Sequence, residues 1–194
     1  RRWHVRAEEG FVEGLSKSAR FIAVISEKTL EGIAGAGKKQ DNVLKEWEIA
    51  VDRVGVMGFS AGGHLCAMAS SYYRESTYKA IDSIDKLDTR PSFVSLIYPA
   101  YLGNARKDAT RLDPLVKIDD KSPPTFIAIT HDDGDRAIFA ALYYAELKRN
   151  RVSAELHVYS KGGHGYGLRP SPNPVSSWPA RMEDWMRSSG WLKR

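Results

Sequence analysis

Val54-Gly55-Val56-Met57-Gly58-Phe59-Ser60-Ala61-Gly62-Gly63-His64-Leu65 decides how the rest of this chain is read. Residues 54–57 form a brief β-rich run ending at Gly58. Residues 61–73 then read as a helix, with Leu65, Met68 and Ala69 at helical spacing. Between them Gly58-Phe59-Ser60-Ala61-Gly62 is a Gly-x-Ser-x-Gly pattern, in the strand–turn–helix setting that gives the pattern its meaning. A serine on so tight a turn leaves no room for flanking side chains, which is the expected reason for Gly58 and Gly62. The turn also sets Ser60 at a helix N-terminus, where the Ala61 N–H can donate to a developing oxyanion. Ser60 is therefore a candidate nucleophile.

Outward from this turn, apolar runs alternate with helical patterns. Residues 93–98, 125–130 and 154–159 read as strands and residues 138–147 as a helix. Pro99, Pro114, Pro123 and Pro124 punctuate the stretch between the first two of these runs. Residues 175–191 read as an amphipathic closing helix, with Trp178, Met182, Trp185 and Met186 at a spacing that marks core. Upstream, residues 21–25 could form a strand and residues 42–51 a helix. Short strands alternating with helices imply an α/β fold, a mostly parallel sheet with helices on both faces. Reactive groups in such sheets sit at the carboxyl ends of the strands. Residues 52–194 are expected to form the core, with residues 1–51 a divergent N-terminal part of the same domain.

A serine hydroxyl is a poor nucleophile until a base takes its proton, so a histidine and an orienting carboxylate are required. The expected chain order is serine, then Asp or Glu, then histidine. Of the five histidines, His4 precedes the serine, and His64 follows it on the helix, where it is expected to cap or pack. His131 abuts an acidic turn and His157 sits inside a strand. His164 lies in Gly162-Gly163-His164-Gly165-Tyr166-Gly167, a glycine-rich loop just after the last strand, and is the preferred base. The strand over 125–130 runs into His131-Asp132-Asp133-Gly134-Asp135. Asp132 or Asp133, just beyond the strand end, suits a carboxylate partner better than Asp135. The remaining acids are expected to form the turn and cap the next helix.

The composition sets limits on function. With 194 residues there is room for one domain with a sizeable core. The net charge of +5 is scattered, with no basic run interleaved with aromatics, so a nucleic-acid partner is not expected. Cys66 is the only cysteine, which rules out an intrachain disulfide, and no Cys/His spacing suits zinc. No stretch has the length of a membrane span. The basic N-terminus lacks the long apolar core of a signal peptide, and the compartment stays open. Gly32-Ile33-Ala34-Gly35-Ala36-Gly37-Lys38-Lys39 nearly fits a phosphate-binding loop, but Lys39 stands where a magnesium-binding hydroxyl belongs. A flexible loop is the better reading.

Several segments together resemble a known family. They are residues 52–65, Tyr98-Pro99-Ala100-Tyr101-Leu102, Ser122-Pro123-Pro124-Thr125-Phe126, Leu142-Tyr143-Tyr144, Ala154-Glu155-Leu156-His157-Val158-Tyr159 and residues 162–170. They are similar to α/β-hydrolase esterases related to acetylxylan and feruloyl esterases, some of them labelled as xylanases. The resemblance implies an α/β-hydrolase fold, Asp133 as the triad acid, with Asp132 as the alternative, and His164 as the base. It also implies hydrolysis of acetyl or aryl esters on carbohydrate or a related small molecule, through an acyl-Ser60 intermediate and without metal or organic cofactor.

Two departures stand out. After Asp133 comes Gly134-Asp135-Arg136-Ala137-Ile138-Phe139, where relatives usually carry Pro-Val and then a Glu-Asn-Ser helix start. Residues 1–59 show none of the Gly-Gly-Gly-Tyr type loop that completes the oxyanion hole in relatives, and some early strands of the fold are expected to be missing. Losing an oxyanion donor removes about 2.7–4 kcal/mol of transition-state stabilisation. A catalytically weak or dead binding protein is therefore one alternative. A serine peptidase of the prolyl-oligopeptidase kind, which shares the nucleophile turn, is another.

Overall fold

The computed structural model describes residues 23–25, 55–75, 79–81, 86 and 88–192. His4, the glycine segment at 32–39 and the expected helix at 42–51 lie outside these residues. Five strands form one sheet in the order β1 (Ala23–Ile25), β2 (Gly55–Phe59), β3 (Val94–Ile97), β4 (Thr125–Thr130) and β5 (Ala154–Tyr159). β2 through β5 run parallel, whereas β1, from the run expected at 21–25, pairs antiparallel with β2 through Ala23↔Met57 and Ile25↔Gly55. Helix α1 (Ala61–Tyr72) connects β2 toward β3, α2 (Arg136–Arg149) joins β4 to β5, and α3 (Trp178–Ser188) follows β5. Every residue of β3 and β4 is buried, so both faces of the central sheet are covered.

Several boundaries differ from the sequence reading: α1 stops at Tyr72, one residue short, and β3 is trimmed by one residue at each end. β2 continues through Gly58 to Phe59, because a glycine in extended conformation does not interrupt the pairing Gly58↔Leu96 and Phe59↔Ile97. α2 starts two residues earlier than residue 138, straight after the Gly134 turn, and runs two residues past 147. The closing helix is shorter than residues 175–191. Pro174 opens a 3₁₀ turn (Pro174–Ser177), and the α-helix proper begins at Trp178 with Pro179 in its first turn, where its missing N–H does no harm.

The four side chains expected as core, Trp178, Met182, Trp185 and Met186, are all buried. Trp191, beyond the end of α3, packs on Phe93 at 5.3 Å between ring centroids, while Trp185 meets the same ring edge-on at 5.8 Å. Gly55 makes room for that cluster, since a Cβ there would lie 2.1 Å from the Phe93 ring. Met182 is fully buried in the core cluster. Met182→Ala should lower the unfolding free energy by about 2–5 kcal/mol, read as a lower urea midpoint at unchanged slope.

Candidate active site

The parallel strands deliver their C-terminal ends to one edge of the sheet, and the chemistry-bearing residues follow those ends. Ser60 comes directly after β2. Its backbone has φ 53° and ψ −117°, a conformation that ordinary residues avoid and that costs about 1–3 kcal/mol. Three hydrogen bonds hold it there. The Ser60 N–H donates to Ile97 O at 3.0 Å, and the Ser60 carbonyl accepts from His64 N and Ala100 N, each at 3.1 Å.

The turn is crowded on one side only. A Cβ at Gly58 would stand 2.1 Å from the Gly62 carbonyl oxygen, and one at Gly63 would press on Pro99 at 3.1 Å. Gly62 itself has nothing within 4 Å among the described residues. The expected crowding at Gly62 is therefore corrected: its carbonyl, not the space around its Cα, is what forces a glycine at 58. The Ala61 N–H sits at the first position of α1, where a helix supplies no acceptor of its own.

The Ser60 hydroxyl is 2.7 Å from His164 Nε2, and His164 Nδ1 is 2.7 Å from Asp133 Oδ2. The Asp133 carboxylate is 1% exposed, and its other oxygen, Oδ1, accepts from Arg136 Nη1 at 3.0 Å. The structure thus brings Ser60, His164 and Asp133 into one relay although they come from three separate strand ends. In that arrangement the imidazole can take a proton from the hydroxyl while the carboxylate fixes its orientation.

Asp132 does something else. Its carboxylate accepts the Gly163 N–H at 2.8 Å and the Gly162 N–H at 3.2 Å, just ahead of His164. The Gly163 N–H, joined by that of Gly162, holds this carboxyl below the usual carboxylate range. Thr130 at the end of β4 donates from Oγ1 to Gly163 O at 2.8 Å. On the far side of the loop, Tyr166 donates to Ala128 O at 3.0 Å and Trp178 Nε1 donates to Gly167 O at 2.8 Å. Tyr98, with φ 39°, sets its ring edge-on to His164 at 5.1 Å and to Tyr166 at 4.5 Å. Burial pushes the Tyr98 phenol up, opposed by a hydrogen bond from the Gly167 backbone.

The other candidates stand apart from this relay. Asp135 occupies the N-cap position of α2 and makes no side-chain cap bond. His64 packs edge-on against exposed Tyr101 at 6.0 Å. His131 is exposed, and His157 pairs with Glu155 at 2.6 Å within β5. Cys66 is buried, and burial pushes its thiol up to about 12. Two hollows of about 410 and 320 Å³ are lined from the 112–118 segment, α1 and their surroundings, and include none of Ser60, Asp133 and His164. Among the described residues no group of three His, Cys, Asp or Glu could hold a metal ion, and no helix is long and apolar enough to cross a membrane.

Sequence reading missed Arg136, Thr130 and Tyr98 as parts of this site. Arg136 was visible only as a departure from the family pattern, and Tyr98 only as the end of an apolar run and the start of a segment shared with the family.

The sequence pattern of the prolyl oligopeptidase family matches residues 40–189. The chain belongs to that family. It is also 26% identical to an acetylxylan esterase of Xylanibacter ruminicola (strain ATCC 19189), over 74% of this chain and 34% of that esterase. The chain thus spans about a third of the curated relative it matches. In three dimensions it is similar to an acetyl ester-xyloside bifunctional hydrolase from Caldicellulosiruptor lactoaceticus. That match has TM-score 0.62 and 30% identity, and covers 71% of this chain and 57% of the other. A second similar structure is MGS-M1, an α/β hydrolase enzyme from a Medee basin deep-sea metagenome library. Here the TM-score is 0.52 and the identity 26%, over 69% of this chain and 53% of the other. The fold of this prolyl oligopeptidase family member is that of the α/β-hydrolases, as the resemblance implied.

Two outcomes follow from the geometry. Gly58→Ala should destabilise the fold by about 1–3 kcal/mol, because the new methyl meets backbone that cannot step aside; chemical denaturation measures it. Asp132→Ala should leave the melting temperature nearly unchanged but speed hydrogen exchange at the Gly162 and Gly163 amides. In the wild type the same tether should hold above the ordinary Asp range of about 3.9 and release only as pH falls through the lower folded value.

Proposed function

We propose that this chain is a serine carboxylesterase that hydrolyses acyl esters through an acyl-Ser60 intermediate. The observation that carries the reading is the relay Ser60 Oγ–His164 Nε2–Nδ1–Asp133 Oδ2, with both links at 2.7 Å. The strained backbone of Ser60 supports it, since such strain is kept where a side chain must be presented in one direction.

In the first half-reaction, Ser60 Oγ attacks the ester carbonyl carbon and its proton passes to His164 Nε2. The oxyanion that forms is held by the Ala61 N–H. As the carbonyl re-forms, the bond to the leaving oxygen breaks, and His164 returns the proton to that oxygen to release an alcohol. In the second half-reaction His164 takes a proton from water, the hydroxide attacks the acyl-serine, and Ser60 leaves with the proton. Asp133 holds the imidazole tautomer throughout and stabilises the imidazolium.

The names of the relatives suggest the ester. One relative is named an acetylxylan esterase and one similar structure an acetyl ester-xyloside bifunctional hydrolase, and an acetyl ester on a sugar hydroxyl is the substrate class we assign. A peptidase is the second reading, favoured by the family match over residues 40–189.

The full chain should turn over p-nitrophenyl acetate and label with a fluorophosphonate probe. Ser60→Ala should abolish labelling and lower kcat by about 10⁴-fold or more. Labelling that is equal in both proteins would remove Ser60 from the mechanism. A folded wild type that does not label would support a binding protein without catalysis, and cleavage of peptide but not acetyl substrates would support the peptidase.

A further inference from the structure

Arg136 has no explanation in the helix that carries it. It occupies the first position of α2, a helix with no acidic residue in its first turn. A cation there has the wrong sign for the helix dipole, which favours negative charge at an N-terminus. Its guanidinium instead reaches back to Asp133, donating from Nη1 to Oδ1 at 3.0 Å. The acid is buried while Arg136 is 43% exposed, so the arginine brings a solvated positive charge to the one oxygen of Asp133 that His164 does not use. The segment Gly134-Asp135-Arg136 is also where the sequence leaves the pattern of the esterases it resembles.

We infer that Arg136 is a positioning residue for the relay, which fixes the plane of the Asp133 carboxylate and offsets part of its charge. The inference rests on the esterase reading of Ser60 and His164. A carboxylate shared with a guanidinium holds an imidazolium less strongly than a carboxylate bonded to imidazole alone.

Other groups around the imidazole stay in place in this comparison. Among the described residues they are Ser60 after β2, Tyr98 after β3, Asp132 and Asp133 after β4, and Tyr166 and Arg169 on the histidine's own loop. Asp132 is occupied by the Gly162 and Gly163 amides, and Arg169 donates to Gly165 O. None of these bonds is made by Arg136, so a substitution there changes the charge beside Asp133 and leaves the rest.

The test is the pH dependence of kcat/KM for p-nitrophenyl acetate in wild type, Arg136→Gln and Arg136→Lys. Removing the charge in Arg136→Gln should move the acid limb to higher pH by about half a unit to one unit, a three- to tenfold loss of kcat/KM at a fixed pH on the limb. Arg136→Lys keeps the charge and should keep the limb. Arg136→Ser, tolerated in the first turn of a helix, should repeat the glutamine result if Arg136→Gln does not fold. A limb that stays in place when the charge is removed overturns the inference, even where the plateau rate drops, because that is what a merely structural arginine would do. An equal move in the lysine variant overturns it as well. NMR titration of the imidazole resonances, with His164 assigned through His164→Asn, reads the same charge effect without turnover. An inactive wild type whose His164 signal still changes over at higher pH in Arg136→Gln would therefore count against the esterase reading and not against Arg136.

Discussion

The main chain of Ser60 is held at both of its hydrogen-bonding groups, and much of the described structure is arranged around that fact. Its N–H is part of the β2–β3 ladder through Ile97, while its carbonyl serves both the first turn of α1 and the Ala100 N–H after β3. A residue bonded to a strand on one side and a helix on the other must turn sharply, and the positive φ is the result. The strain is sustained because the burial of β3 and β4 fixes the elements that impose it. Gly58 is then obligatory under the Gly62 carbonyl, and Gly63 keeps the tight approach of the helix to Pro99.

The histidine loop is organised differently. It has no regular hydrogen bonding of its own and takes its shape from neighbours: Thr130 and Asp132 at the end of β4, Ala128 within it, Tyr98 beyond β3 and Trp178 at the start of α3. Two adjacent aspartates divide the work. Asp133 turns inward to the imidazole and Asp132 outward to the backbone that carries it. A serine fixed by rigid elements faces a histidine fixed by several polar contacts, and the two meet in a short hydrogen bond.

Periodicity reveals the strands and helices because buried parallel strands are continuous apolar runs, and residues 125–130 are bounded as that rule gives them. Residues 154–159, at the sheet edge with no residue fully buried, show instead the alternation of a half-covered strand. Boundaries fail where local chemistry overrides the pattern: a glycine that pairs normally at 58, and the prolines at 174 and 179 that reshape the start of the last helix. The antiparallel pairing of β1 carries no sequence mark, since a three-residue strand looks the same in either direction. Within the candidate site, the residues with distinctive chemistry could be named from the turn motif, strand ends and glycines around them. The division of labour between Asp132 and Asp133 could not be read from the residues alone, because it depends on contacts with a loop some thirty residues away. Arg136 was hidden for the opposite reason. Its partner is only three residues away, and a surface arginine at a helix start gives no hint that it points back at a buried acid.

The bond from Trp178 to the Gly167 carbonyl has a consequence for the order in which the molecule is made. Synthesis proceeds from the N-terminus, and domains begin to organise as they emerge. Ser60, Asp133 and His164 all leave the ribosome before the indole that braces the loop from below. A nascent chain can thus hold these three side chains before the loop has its last support. The loop is fully braced only once the segment at the start of α3 has emerged, so that helix completes the loop's support as well as the core.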